Sequence, residues 1–360
     1  MQDLNFAVPR LQAAIEAIVA KGGSSPKEAG LVAANLVEAN LTGHDSHGVG
    51  MIPRYVESLL QGGLRVNQSP AIKLDSGPML RLDGNAGYGQ AIGVEAMALG
   101  IARAKTHGVC VVGLANSHHL GRIGHWAEQC VREGLVSMHF VNVISRPIVA
   151  PWGGRDARFG TNPVCIGIPR TGKDPILLDF ATSRIAQGKT RVAHNQGKEL
   201  PPGILIDDKG DPTTNPRYSV IPPVGAILPF GEHKGYGLAL ICELLGGALT
   251  GGETQHVRDD AKKRVLNGML TVIIDPAKLG TGTHLDQQTD AFIEWLMQSP
   301  PTADTDRVKL AGEPERAYKR ERLKSGIDVD PTTWQEILAA GGKLGLDRGT
   351  IERTAGASSY

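Results

Sequence analysis

The sequence predicts an α/β protein whose helical ends enclose a sheet-rich middle. Three observations carry this. Alanine, leucine, isoleucine and valine recur at helical spacing through Pro9–Ala20 and Pro26–Leu41. Short apolar runs punctuated by glycine and proline fill the centre: Val109–Leu114, Val136–Val143, Ile176–Phe180, Ile204–Asp207 and Met269–Ile274. No GxGxxG turn follows any of these runs, so the ordinary dinucleotide-binding crossover is not expected.

In chain order, the helical pair comes first. Ser25-Pro26-Lys27-Glu28 is a capping box with proline in the first turn. The second helix runs into Gly43-His44-Asp45-Ser46-His47-Gly48, a turn that presents polar side chains at a helix C-terminal end. Ala91–Lys105 reads as a helix stopped by Gly108. A buried strand, Val109–Leu114, a polar loop, Ala115–Gly121, and a helix, Ile123–Arg132, follow. Asp208-Lys209-Gly210-Asp211 is a hairpin turn, which makes part of the middle region antiparallel. A helix over Gly235–Leu249 interrupts that region, and Asp286–Met297 forms another. Ser299–Asp306 reads as a linker, and the tail carries a basic helix, Pro314–Ser325, and a last helix begun by Asp330-Pro331.

Composition narrows the class. With 38 basic and 37 acidic residues among 360, the net charge of +1 disfavours a nucleic-acid binder driven by bulk charge. No window approaches the ~18 uninterrupted apolar residues of a membrane span, and the N-terminus lacks a signal-peptide pattern. Cys110, Cys130, Cys165 and Cys242 lie too far apart for a zinc ribbon or a disulfide framework, which points to reduced thiols in the cytoplasm. The 46 glycines cluster beside His, Asn, Asp and Lys, where chemistry is to be sought.

The densest such segment holds His44, Asp45, Ser46 and His47 between Gly43 and Gly48. A capped helix end rarely needs two imidazoles, a carboxylate and a hydroxyl, and either His44 or His47 could be a general acid/base. His118 and His119 lie between a strand and a helix, where α/β proteins hold ligands. Asp179, inside the apolar run ending at Phe180, needs a cation, a histidine N–H or backbone donors if buried. Gly188-Lys189-Thr190 resembles the end of a P-loop, but Ser183 stands where the upstream glycine is required. Lys234 at a helix start opposes the macrodipole, so Glu232-His233-Lys234-Gly235 suggests phosphate attraction. The competing reading is a metal-dependent hydrolase built on His44, His47, His118 and His119, although no known ligand spacing is repeated.

At these residues the chain resembles the type 2 malate/L-lactate dehydrogenase family, NAD(P)-dependent 2-hydroxyacid oxidoreductases distinct from the Rossmann-type enzymes. The resemblance covers nearly the whole chain. It rests, in order, on Asp45-Ser46-His47-Gly48-Val49, Asn116-Ser117-His118-His119 with Gly121, Gly160-Thr161-Asn162-Pro163, Leu178-Asp179-Phe180-Ala181-Thr182-Ser183, His233-Lys234-Gly235-Tyr236 and Ala311-Gly312-Glu313. Within the family the chain looks most like the hydroxycarboxylate dehydrogenase branch.

The resemblance implies a non-Rossmann fold with a largely antiparallel cofactor-binding sheet, flanking helices and a helical N-terminal region. It implies an N-terminal unit, 1–56, packed with the tail 326–360, a substrate and dimerisation unit, 57–134 with 299–325, and an NAD(P)-binding unit, 135–298. It further implies a homodimer with NAD or NADP as cofactor. The acid/base falls on His47, its neighbouring serine on Ser46, an orienting carboxylate on Asp179, and a second active-site histidine on His119. Cofactor contacts fall on Thr161, Asn162, Asp179, Phe180, Ala181, Thr182, Ser183, His233, Lys234, Gly312 and Glu313. One position departs from the pattern. Met51 stands where many members carry a carboxylate-clamping arginine, with Arg54 near but out of register. The substrate carboxylate is then expected on backbone amides, His119 or Arg54, and bulkier or aromatic 2-oxo acids are expected to be preferred.

Overall fold

The computed structural model describes residues 3–256 and 264–356. Three helices open the chain: α1 (Val8–Lys21), α2 (Pro26–Leu41) and α3 (Ile52–Leu60). Ser25 Oγ accepts from Glu28 N–H at 3.3 Å, so α2 begins at its cap as expected. The central sheet is built from β1 (Ala71–Asp75), β2 (Met79–Asp83), β3 (Val109–His118), β4 (Val136–Ile144), β5 (Val164–Ile168), β6 (Ile176–Phe180) and β7 (Leu266–Ile274). Between and after these strands lie α4 (Gly89–His107), α5 (Gly124–Val131), α6 (Gln187–Asn195), α7 (His233–Cys242), α8 (Gly282–Met297), α9 (Glu313–Ser325), α10 (Pro331–Lys343) and α11 (Arg348–Ala355).

The sheet order is β1-β2-β3-β7-β4-β5-β6. It is a mixed sheet: β2 runs parallel to β3, and the other neighbours pair antiparallel. On one face, Ile92, Ala96 and Met97 of α4 and Trp126, Ala127 and Cys130 of α5 bury against Cys110, Val112 and Leu114, the alternate residues of β3. Trp126 is fully buried there, and truncating it to alanine would cost about 3–5 kcal/mol. A second core joins the two ends of the chain, with Leu11, Ile15 and Ile18 of α1 meeting Trp334 and Ile337 of α10 and Ile351 of α11. Leu4–Phe6 and Ile327–Val329 stitch the same ends together as an antiparallel pair.

Two expected elements are corrected. The polar loop at Asn116–His118 is the end of β3, because β7 keeps pairing with it: Leu266 lies opposite His118 and Asn267 opposite Ser117. The helix Gly235–Leu249 is regular only from His233 to Cys242, then widens into a π turn, Glu243–Gly247, and a 3₁₀ turn, Ala248–Thr250. This turn lies directly on the sheet, and a side chain on Gly246 would meet Asn142 N at 2.6 Å. The hairpin around Asp208–Asp211 is present, with Leu205–Ile206 antiparallel to Pro212–Thr213.

Candidate active site

The turn after α2 is pinned by one side chain. Asn40 donates to Asp45 Oδ1 at 2.7 Å, and its own Oδ1 accepts from Val49 N–H at 2.8 Å. A Cβ at position 48 would stand 2.1 Å from that oxygen, so only glycine fits there. Asp45 also pairs with Arg322 of α9, at 2.7 Å from Nη1. His44 turns to Glu315, 3.5 Å away. Of the four polar residues in the turn, His47 is the one directed to the second histidine pair.

His47 and His119 lie with ring centroids 5.4 Å apart and planes 12° from parallel. The Nδ1 of His47 is buried without a hydrogen-bond partner among the described residues. Burial first, then the charges of His44 and Arg122, lowers the His47 pKa to about 4. His119 Nδ1 lies 2.7 Å from the hydroxyl of Tyr55, and burial, followed by His47, His118 and Arg54, holds its pKa well below the histidine range. His118 is fully buried with its ring against the edge of Tyr55.

Asp179 does not steer the His47 ring by a hydrogen bond, contrary to the expectation. Its Oδ2 accepts from Gly124 N–H at 2.7 Å, at the first turn of α5. Its pKa is raised by burial, against which the charges of Arg122 and His44 act. Arg122 is 2% exposed, pairs with Glu128 at 2.6 Å, and leaves Nε and Nη1 without partners among the described residues.

One cleft of about 1870 Å³ brings together Ser46, His47, Met51, Arg54, His119, Arg122, Thr161, Asp179, Phe180, Ala181 and Ser183. Small-molecule pockets usually occupy roughly 300–1,000 Å³, so a dinucleotide and a small acid can share it. Arg146, Arg184, Lys189 and Arg191 supply positive charge suited to phosphates, and Ile123, Phe180 and Ala181 supply apolar surface suited to a ring.

Six expected cofactor contacts do not line this cleft. Asn162 is fully buried: its Oδ1 accepts from Val143 N–H at 3.1 Å, and its Nδ2 donates to Glu243 at 2.7 Å and Ala239 O at 3.1 Å. Thr182 is likewise buried, its hydroxyl 2.9 Å from Thr161 O. Both residues shape the Thr161 loop from behind. His233 and Lys234 are exposed at the start of α7, with His233 against the edge of Trp152. Glu313 is engaged by Arg307, and Gly312 packs on Leu177 of β6. Tyr55, Gln90, Arg122, Arg191 and Glu315 belong to the site or support it and were not singled out from sequence. A lone charge at Arg122 between Leu120 and Ile123 was the one local signal available.

The histidines do not converge as ligands, and among the described residues no group of three or more His, Cys, Asp or Glu side chains is placed to hold a metal ion. The hydrolase alternative thereby loses its donor set.

Residues 6–338 match the family model described as malate/L-lactate dehydrogenase. The chain is 49% identical to hydroxycarboxylate dehydrogenase B of Escherichia coli strain K12 over 96% of both chains. It is 40% identical to the L-lactate dehydrogenase of Cupriavidus necator over 85% of this chain and 88% of that one. A solved structure from E. coli, 48% identical, superposes with a TM-score of 0.93 over 98% of each chain. The chain belongs to the malate/L-lactate dehydrogenase family and is an oxidoreductase acting on a 2-oxo acid/2-hydroxy acid pair.

Proposed function

We propose that the chain uses NAD or NADP to interconvert 2-oxo and 2-hydroxy acids, with His47 as the proton-transfer group. The observation that carries this reading is the pair of near-parallel imidazoles, His47 and His119, on one wall of a large cationic cleft. When bound, the nicotinamide supplies the hydride in one direction and accepts it in the other. The buried Nδ1 of His47 leaves Nε2 as the nitrogen that exchanges the proton. With a pKa of about 4, His47 rests neutral and acts directly as base toward a hydroxyl. In reduction it must first be protonated, and the anionic carboxylate of a 2-oxo acid raises its proton affinity on binding.

Ser46, His119, Met51 and Arg54 are assigned to the substrate, and Thr161, Phe180, Ala181 and Ser183 to the nucleotide. Asp179 is assigned a part through its charge, which acts on Arg122. The cleft draws residues from all three expected units, so nucleotide and acid are held between them. His233, Lys234, Gly312 and Glu313 carry no part of the proposal. The working unit is a homodimer.

The test is loss of reduced-nicotinamide absorbance with a panel of 2-oxo acids and both nucleotides, in wild type and His47→Ala. The variant should lose about 100- to 10,000-fold in turnover, with nucleotide affinity by fluorescence quenching unchanged. Wild-type turnover in the variant would remove His47 from the proton-transfer role.

A further inference from the structure

We propose that Tyr55 and Gln90 are positioning residues that hold His119 as its neutral Nε2–H tautomer, so that this ring meets substrate as a hydrogen-bond donor only. The inference deepens the dehydrogenase reading and rests on it. Gln90, in the first turn of α4, is 1% exposed, and its Nε2 donates to the Tyr55 hydroxyl oxygen at 2.8 Å. That hydroxyl lies 2.7 Å from His119 Nδ1. The Gln90 amide is turned so that Nε2 faces the tyrosine, and its Oε1 stays buried without a partner among the described residues. A phenol has one proton to give, and with Gln90 the donor to its oxygen, the proton goes to His119 Nδ1. The opposite turn of the amide would reverse the chain, which the spectra below distinguish. The imidazole nitrogen there must then be a lone pair, and the ring proton sits on Nε2. Tyr55 is itself fully buried, fixed edge-on to Tyr88 at 5.8 Å and to His118 at 5.4 Å, so the chain of donors cannot swing away.

Charging His119 would break this chain. An imidazolium carries a proton on both nitrogens, so Tyr55 would receive from both neighbours and its own hydroxyl proton would face no acceptor. Among the described residues the charges acting on the ring are those of His47, His118 and Arg54, and each opposes a second positive charge. His119 is thus a fixed dipole, while His47, whose Nδ1 has no partner among the described residues, is free to gain and lose its proton. A neutral imidazole N–H aimed at a carbonyl oxygen stabilises the charge that develops there without exchanging a proton.

The experiment is long-range ¹H–¹⁵N spectroscopy of the full-length protein labelled at histidine, with His119 assigned by its loss in His119→Gln. Wild type should show a protonated Nε2 and an unprotonated Nδ1 across the neutral range. Tyr55→Phe keeps the ring and removes the hydroxyl. It should give mixed tautomers and lower kcat for 2-oxo acid reduction about ten- to a hundredfold, with KM for the nucleotide unchanged. Gln90→Glu reverses the chain, because a carboxylate accepts the tyrosine proton. His119 should then carry its proton on Nδ1, and a new inflection should enter the pH–rate profile. A wild-type Nδ1–H tautomer, or an unchanged His119 spectrum in both variants, would overturn the assignment. The spectra need no turnover, so a protein showing the expected tautomer but inert to every 2-oxo acid would remove the dehydrogenase reading alone.

Discussion

His47 differs from a surface histidine by burial and by two neighbouring bases, His44 and Arg122, which together hold its pKa at about 4 against 6.5 unperturbed. All three act in one direction, disfavouring the imidazolium. The kcat/KM for 2-hydroxy acid oxidation, which needs the neutral ring in the free enzyme, should therefore stay level as pH falls from about 8 to about 5. For reduction, kcat/KM should fall roughly tenfold per pH unit over the same range as pH rises. An inflection near 6.5 in the oxidation profile would show that the resting enzyme does not hold His47 in this way. Met51 allows a second test. It lines the cleft near Arg54, and Arg191 Nη2 lies 3.9 Å from where a side chain on Gly50 would begin. Met51→Arg would add a carboxylate clamp among cations already present. The ratio of kcat/KM for an aromatic 2-oxo acid to that for oxaloacetate should fall about ten- to a hundredfold. An identical ratio in both proteins would mean that residue 51 does not contact substrate.

At the scale of elements, the link between the Thr161 loop and the π turn after α7 decides how the cleft is shaped. Asn162 has a φ of +34°, a conformation that asparagine tolerates better than most residues, and its amide joins β4, α7 and Glu243. Glu243 in turn accepts from Gln255 N–H at 2.6 Å. Asn162→Ala leaves buried donors and a carboxylate oxygen without partners and should destabilise the protein by about 2–4 kcal/mol, read as a lower urea midpoint. Nucleotide affinity should weaken with it, through Thr161; an unchanged midpoint would refute the linkage. This network was not legible in the sequence, because each member is a single polar group whose partner lies many residues away. Elements governed by local signals were legible. α2 follows from its cap and apolar spacing, and β6 from a bounded apolar run. β1 and β2 carry weak local signals: β1 lies at the open edge of the sheet with Ile72 and Leu74 exposed, so its apolar residues mark no buried face, and β2 alternates exposed Met79 and Arg81 with buried Leu80 and Leu82 over only five residues. In the site, Ser46, His47, Asp179 and His119 stood out as dense polar inventories beside glycine or inside apolar runs. Tyr55 and Gln90 acquire meaning only when α3 and α4 meet at His119.

For the molecule as a whole, α7 and the turn after it pose a solvation problem in a single chain. Gly235, Ala239 and Cys242 are the buried residues of α7, while Leu240, Ile241, Leu244 and Leu249 are 38–63% exposed along the other side. An apolar patch of this kind is unfavourable in water and is usually covered. A homodimer, expected from the family resemblance, would cover it with a second copy of the same surface, as two-fold symmetry requires when the patch lies on the axis. Light scattering should then give about twice the 38.2 kDa chain mass. Ile241→Glu combined with Leu244→Glu should shift the protein toward monomer and lower its thermal midpoint, because the side chains point away from the chain's own core and the loss is felt at the interface. Glutamates at these exposed positions disturb little within one chain, so a double variant that stays dimeric would place the interface elsewhere. A wild-type mass near that of one chain, with full activity, would show that the cleft works without a partner.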